Sequence, residues 1–427
     1  MRRVAGILAS LALAALAVVL GDRVLGRVAD VRFTALAGPP LEHSVLVRPE
    51  FRVPVRTNAA GFRGAALPGP KAPGTYRIVV LGDSFTFGYG VRERQAYPAR
   101  LGAVLRRRLG RPIEVVNLGI PGAGPRDYLY HLAHTGLGLD PDLVVVGLFA
   151  NDVNDVYQLD RFGARSPLFA LSALQGGGLA PRPLWRRAAE RAAPNLYALA
   201  GRAVARVRTA PETATAHAEV MSADAPARPA DAERLVATLG ERYGRRDAVL
   251  ARYAALVPDD RAALDRLLAG EPLGEDMRPV LLLSALVDPD AEADGILLRS
   301  PERRRAAEST TAVLGRLARL ARDHGARVVF AVLPASEQID TSRWPVLQDV
   351  GFRLDRAMLT DTTLSDDVRA LAAVEGAGFV DLTAPFRAHA GATLYFRLDE
   401  HWNARGQAFA ASRLADALAP RIAGTGA

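Results

Sequence analysis

The stretch from Tyr76 to Val91, YRIVVLGDSFTFGYGV, limits the folds open to this 427-residue chain more than any other. Ile78, Val79, Val80 and Leu81 run apolar without polar alternation, the pattern of a strand buried on both faces of a parallel sheet. Gly82 lets the backbone turn at the strand's carboxyl end, where Gly82-Asp83-Ser84 opens a glycine-rich loop. Ligands of open α/β sheets bind beyond the carboxyl ends of the strands, so Ser84 is delivered where chemistry is done. A serine after a strand is also a common helix cap. Its weight as a nucleophile depends on partners elsewhere in the chain.

The same grammar repeats. Ile113–Leu118 is a second buried run that breaks at Gly119, and Asp142–Phe149 is a third that ends in Ala150-Asn151-Asp152. An amphipathic helix over 96–109 separates the first two, and another is expected over 128–137. After a gap the pattern returns as a helix over 302–324, a strand over 326–333, a helix over 364–374, a short strand over 378–382 and a last helix over 404–418 capped by Asn403. Strands with polar or glycine-rich carboxyl ends, alternating with helices, imply a doubly wound sheet whose site lies along one edge. The two parts of that domain are 74–160 and 301–427. Between them, 161–300 is expected to be a mostly helical insertion, with helices over 184–207, 232–256 and 259–268 and a loose Ala, Thr and Pro-rich linker over 209–229. Residues 22–73, punctuated by prolines, are expected to be a tether and irregular lead-in, with Phe62 docking on the domain.

At the N-terminus, Met1-Arg2-Arg3 precedes an uncharged, mostly apolar run from Val4 to Leu20. As a helix at about 1.5 Å per residue that run spans roughly 26 Å, enough for a short membrane anchor and long for a signal-peptide core. An uncleaved anchor over 1–21 is expected in preference to a signal peptide cleaved at Ala15-Leu16-Ala17, with the remainder facing the periplasm or cell exterior. The net charge of +8 does not point to nucleic acid, because the arginines are scattered among acids and Lys71 is the sole lysine. The absence of cysteine excludes disulfides, thiolate metal sites, cysteine catalysis and lipoprotein anchoring. His131 and His134 stand three apart without a third ligand, so no metal or other cofactor is expected.

A partner for Ser84 is found near the C-terminus. His401 follows Asp399 by two residues, and in an extended segment that spacing puts both side chains on one side of the backbone. The carboxylate then holds one imidazole nitrogen while the other takes the serine proton. Gly-Asp-Ser, the glycine break at Gly119, Asn151-Asp152 and Asp399-x-His401 together resemble the SGNH (GDSL-type) hydrolase family over about 76–154 and 310–418. The resemblance implies a flavodoxin-like three-layer αβα fold, a nucleophile at Ser84, a base at His401 oriented by Asp399, and an oxyanion hole made by the Ser84 and Gly119 amides with the Asn151 side chain. Two positions depart from the family pattern. Phe149 stands where Gly-x-Asn-Asp has glycine, and the final block is Asp-x-His-Trp rather than Asp-x-x-His. That shorter block is similar to the SGNH-type domains of exported-polysaccharide O-acetyltransferases, including those that act on alginate. The function the resemblance implies is a serine esterase acting on an O-acyl ester, O-acetyl above all, of a glycan or small lipid. An O-acetyltransferase served by a membrane partner, and a non-catalytic glycan-binding or assembly protein, are the alternatives.

Overall fold

A computed structural model describes residues 10, 16–24, 35–162, 192–193, 196, 232–271, 276–389 and 393–424. The chain forms two compact units, residues 1–35 with 176–216, and residues 36–175 with 217–427. In the first, residues 16–24 are helical and the Leu196 amide donates to Asp22 at 2.7 Å. Most of the expected anchor over 1–21, most of the expected helix over 184–207 and all of the linker over 209–229 lie outside the described residues. No helix among the described residues is long and apolar enough to cross a membrane.

The second unit is built on a five-stranded parallel sheet. Its strands are β3 (Tyr76–Leu81), β4 (Ile113–Asn117), β5 (Leu143–Leu148), β6 (Arg327–Val332) and β7 (Gly378–Asp381), in the order β4-β3-β5-β6-β7. Numbered within the sheet that order is 2-1-3-4-5, the flavodoxin-like winding. β3 and β5 are buried at every residue, as their unbroken apolar runs require. Ile78 and Val80 pack with Tyr97, Leu101 and Leu105 of the helix Tyr97–Leu109 and with Leu414 and Leu418 of the helix Ala404–Ala423. Val79 and Leu81 face the other way, into Tyr128, Leu132, Leu314 and Leu317. The expected three layers are therefore present, with Pro301–Asp323 and Thr363–Glu375 on that second face. The winding reverses between β3 and β5, so the crevice at their carboxyl ends receives both the Ser84 loop and the Asn151 loop.

Two expectations are corrected here. The lead-in is not irregular throughout, because His43–Arg48 (β1) and Phe51–Arg56 (β2) pair as an antiparallel hairpin. In β2 the buried residues Phe51, Val53 and Val55 alternate with exposed Arg52, Pro54 and Arg56. That period of two, obscured by Pro54, is the signal of a half-buried strand. The helix expected over 232–256 is two helices, Ala232–Arg242 and Arg246–Ala254, broken at Gly244, whose φ of +67° lies in the left-handed region. With Pro258–Leu268 and Arg278–Val287 they enclose a core of their own, including Leu235, Leu239, Leu264, Leu283 and Leu286.

Candidate active site

Asp83 caps the one-turn helix Ser84–Phe87 by accepting from the Phe85 amide at 2.9 Å. First-turn amides have no intrahelical acceptor, and the Ser84 amide stands at the first position of this helix. Close approach needs glycine at Gly82, where a Cβ would lie 2.0 Å from Thr86 Oγ1. The far end of the turn is clasped by Arg63, which donates to the Phe87 carbonyl at 3.0 Å and to the Val91 carbonyl at 2.6 Å. Phe62 beside it is fully buried, as the sequence implies.

His401 Nε2 stands 2.7 Å from Ser84 Oγ, and His401 Nδ1 stands 2.5 Å from Asp399 Oδ1. A proton between Nδ1 and the carboxylate fixes the tautomer, so Nε2 is the acceptor for the serine hydroxyl. The route to this pairing differs from the expected extended segment. Asp399 Oδ1 also accepts from the His401 amide at 2.9 Å, an Asx turn that folds the carboxylate back onto its own loop. The Phe396 amide donates to the His401 carbonyl at 2.9 Å and closes the loop beneath it. Trp402 anchors the loop from behind, fully buried and stacked on Phe386 at 5.0 Å.

The imidazole lies between two rings, Phe85 at 4.9 Å and Tyr89 at 4.6 Å. Phe149, standing at the family's glycine position, stacks on Phe85 at 4.2 Å and so shapes this wall. Burial pushes the His401 pKa down, but Asp399 and then Glu400 and Asp83 outweigh it and hold the imidazole above its ordinary value of 6.5. Burial opposes the Asp399 charge in turn, while His401 and Arg343 hold that carboxyl below its ordinary value.

The groups expected to bind an oxyanion are arranged unequally. Asn151 lies against Asp83, whose carboxyl is pushed up to about 6 by burial and held down in part by the Phe85 amide, His401 and Asn151. The Asn151 Oδ1 is buried without a hydrogen-bond partner. Asp152 sets this residue by accepting from the Phe149 amide at 2.9 Å and from Tyr128 at 2.7 Å. Gly119 is close enough that a Cβ would meet the Phe87 amide nitrogen at 2.5 Å. Its amide, however, donates to Asn117 Oδ1 at 2.9 Å, and Asn117 Nδ2 donates to the Thr86 carbonyl at 2.8 Å. The Asn117 side chain thus spans the two loops and occupies the amide expected to bind an oxyanion. His131 and His134 bond to the carbonyls of Leu36 and Tyr130, and no cluster of three metal-ligating side chains occurs among the described residues.

Sequence reasoning missed an acidic network behind the loop. Arg343 donates to Glu337 at 2.6 Å, to Ser336 at 3.0 Å and to the Leu398 carbonyl at 3.3 Å. Burial, with Glu337 and Glu400 adding to it, pushes the Glu292 carboxyl up to about 8. These residues come from four separate segments, and no spacing within any one of them announces the cluster.

The fold is a doubly wound α/β sheet whose crevice holds a serine hydrogen-bonded to a histidine–carboxylate pair. The model of the GDSL-like lipase/acylhydrolase family matches residues 80–273, and that of the SGNH hydrolase-like domain of the acetyltransferase AlgX matches residues 293–427. Both matches are consistent with the SGNH (GDSL-type) hydrolase family and support an enzyme that acts on ester bonds. Similar solved structures include the acetyl xylan esterase AlAXEase, at 14% identity and a TM-score of 0.36, covering 80% of this chain and 99% of that one. A putative lipolytic protein of the G-D-S-L family from Desulfitobacterium hafniense is 11% identical, with a TM-score of 0.34 and the same coverage. Axe2, an acetylxylan esterase from Geobacillus stearothermophilus, is 12% identical, with a TM-score of 0.34, covering 80% of this chain and 94% of that one. No curated protein matches the chain at a significant level.

Proposed function

We propose that the protein is an esterase that removes an O-acyl group, acetyl above all, from a glycan or small lipid through an acyl-enzyme on Ser84. The observation that carries this reading is the hydrogen-bonded chain Ser84–His401–Asp399, at 2.7 and 2.5 Å. Ser84 Oγ attacks the ester carbonyl as its proton passes to His401 Nε2, and Asp399 steadies the imidazolium. The oxyanion is held by the Ser84 amide and the Asn151 side-chain amide, with Gly119 joining only if it exchanges Asn117 for substrate. Collapse of the tetrahedral intermediate breaks the bond to the leaving alcohol, which takes the proton from His401. Water activated by the same histidine then releases the acid. No metal or other cofactor is needed for either half-reaction.

A second reading, transfer of the acyl group to a sugar hydroxyl instead of water, is favoured by the acetyltransferase-type match over 293–427, which contains both Asp399 and His401. In that case a membrane partner supplies the donor. The site of action proposed for either reaction is outside the cytoplasm, with the apolar run Val4–Leu20 as the anchor.

The test is release of p-nitrophenol from p-nitrophenyl acetate by wild type and by Ser84→Ala, with and without a glycan acceptor. Release that falls by a factor on the order of 10⁴ or more in Ser84→Ala supports the nucleophile. Acetyl recovered on the glycan in place of free acetate favours transfer. Equal rates in both proteins reject the reading.

A further inference from the structure

We infer that Glu50 is a positioning residue for the Asp399–His401 loop, which makes the hairpin β1–β2 part of the catalytic apparatus. Glu50 sits in the two-residue turn between these strands, before the start of either family match. Its Oε1 accepts from the Arg397 amide at 2.5 Å, and its Oε2 accepts from the Leu398 and Asp399 amides at 2.6 and 2.9 Å. Three consecutive amides of an irregular loop thus converge on one carboxylate. Neither a helix nor a strand supplies their acceptors, so the carboxylate fixes the backbone directly. Arg343 draws on the Leu398 carbonyl from another side. Phe51, next in the hairpin, packs on Phe396 at 4.8 Å and edge-on to Tyr89 at 5.8 Å, and Tyr89 covers His401. The hairpin therefore holds both the backbone under Asp399 and the ring beside its histidine.

The consequence concerns geometry more than binding. Asp399 reaches His401 only through a tight Asx turn, whose backbone angles are those Glu50 pins. Without Glu50 the three donors turn to water and the loop relaxes, so the Asp399 carboxylate drifts from Nδ1. The other charged groups that face His401, namely Asp83 and Glu400, stay in place, as does Arg343 beside Asp399. A loss of proton-transfer geometry lowers kcat and leaves KM nearly unchanged. Weaker contact with Asp399 also moves the acid limb of the rate profile to lower pH.

This inference rests on the serine-enzyme reading, and its test includes a readout that does not. Glu50→Ala and Glu50→Gln are compared with wild type on p-nitrophenyl acetate across pH, and by the low-field proton resonance of the His401 Nδ1–H···Asp399 bond, assigned through its absence in His401→Gln. In Glu50→Ala, kcat is expected to fall about tenfold or more with KM within about twofold, the acid limb to move down, and the resonance to vanish. Glutamine keeps one acceptor oxygen, so Glu50→Gln is expected to fall between, with kcat down about twofold to fivefold and the limb and resonance partly shifted. Wild-type kcat with an unmoved resonance in Glu50→Ala overturns the inference. So does an equal loss in both variants with limb and resonance unchanged, which is the signature of a merely structural role. If Glu50→Ala does not fold, Glu50→Gln decides alone, and wild-type behaviour there overturns the inference. If wild type releases no p-nitrophenol, the functional reading fails while the resonance still judges Glu50.

Discussion

At the residue scale, His401 carries most of the account's chemistry. Its pKa is held above 6.5 in the folded protein, and only the neutral imidazole can take the serine proton. The acid limb of kcat/KM is therefore expected above pH 6.5, activity falling as pH drops through it. The sign for stability is opposite to that for activity. A raised histidine pKa contributes stability that is fully present below the unfolded value and is lost as pH rises through the folded one. Asp399→Asn removes the strongest attraction that raises the imidazole pKa. It is expected to move the acid limb down and lower kcat by a factor on the order of 10³ to 10⁴, read from pH–rate profiles. Asn151→Ala is expected to lower kcat about 10²- to 10³-fold if its amide meets the oxyanion, and KM for a short ester decides whether binding was lost instead. The placement of Ser84, Asn151, Asp399 and His401 around one crevice was legible because each stands at a strand end or before the last helix. The state of Gly119 was not legible. Its amide is taken by Asn117, two residues back, and asparagine at the end of a strand carries no mark of that use.

At the scale of elements, β3 and β5 were legible because a strand covered on both faces has no freedom to be polar. The hairpin β1–β2 was not, since Pro54 breaks the strand signal and one face is exposed. Arg63 and Glu50 escaped for a related reason: their partners are backbone carbonyls and amides, which every residue has, and those of Glu50 lie nearly the whole chain away. Side-chain pairing leaves a trace in residue type, whereas pairing with distant backbone leaves none. Arg63→Ala removes a buried cation from carbonyls at the end of the serine helix and is expected to lower stability by about 2–4 kcal/mol in denaturant unfolding, with a larger proportional loss of kcat than of binding. Trp402 holds the other loop by packing on Phe386 and Phe85. Trp402→Ala is expected to lower stability by about 3–5 kcal/mol, as measured by the same unfolding experiment.

At the scale of the molecule, one sheet gathers loops that lie more than 300 residues apart, with Ser84 and His401 separated by 317 positions and joined at 2.7 Å. The doubly wound order makes this possible, because the crevice at the reversal between β3 and β5 collects the strand ends that carry polar residues. The alternation of strand and helix that set this order was readable from residues 76–160 and 301–418. The insertion was readable only as helical, because amphipathic periodicity specifies a buried face without specifying what it is buried against. Acylation of Ser84 is read by mixing the protein with p-nitrophenyl acetate, quenching in acid within the first turnover, and measuring the mass of the peptide that carries Ser84. Wild type is expected to gain one acetyl group on that peptide, Ser84→Ala none, and His401→Ala to gain it far more slowly. Continued release of p-nitrophenol with no acetyl on Ser84, or with acetyl on another residue, would contradict an acyl-enzyme on Ser84.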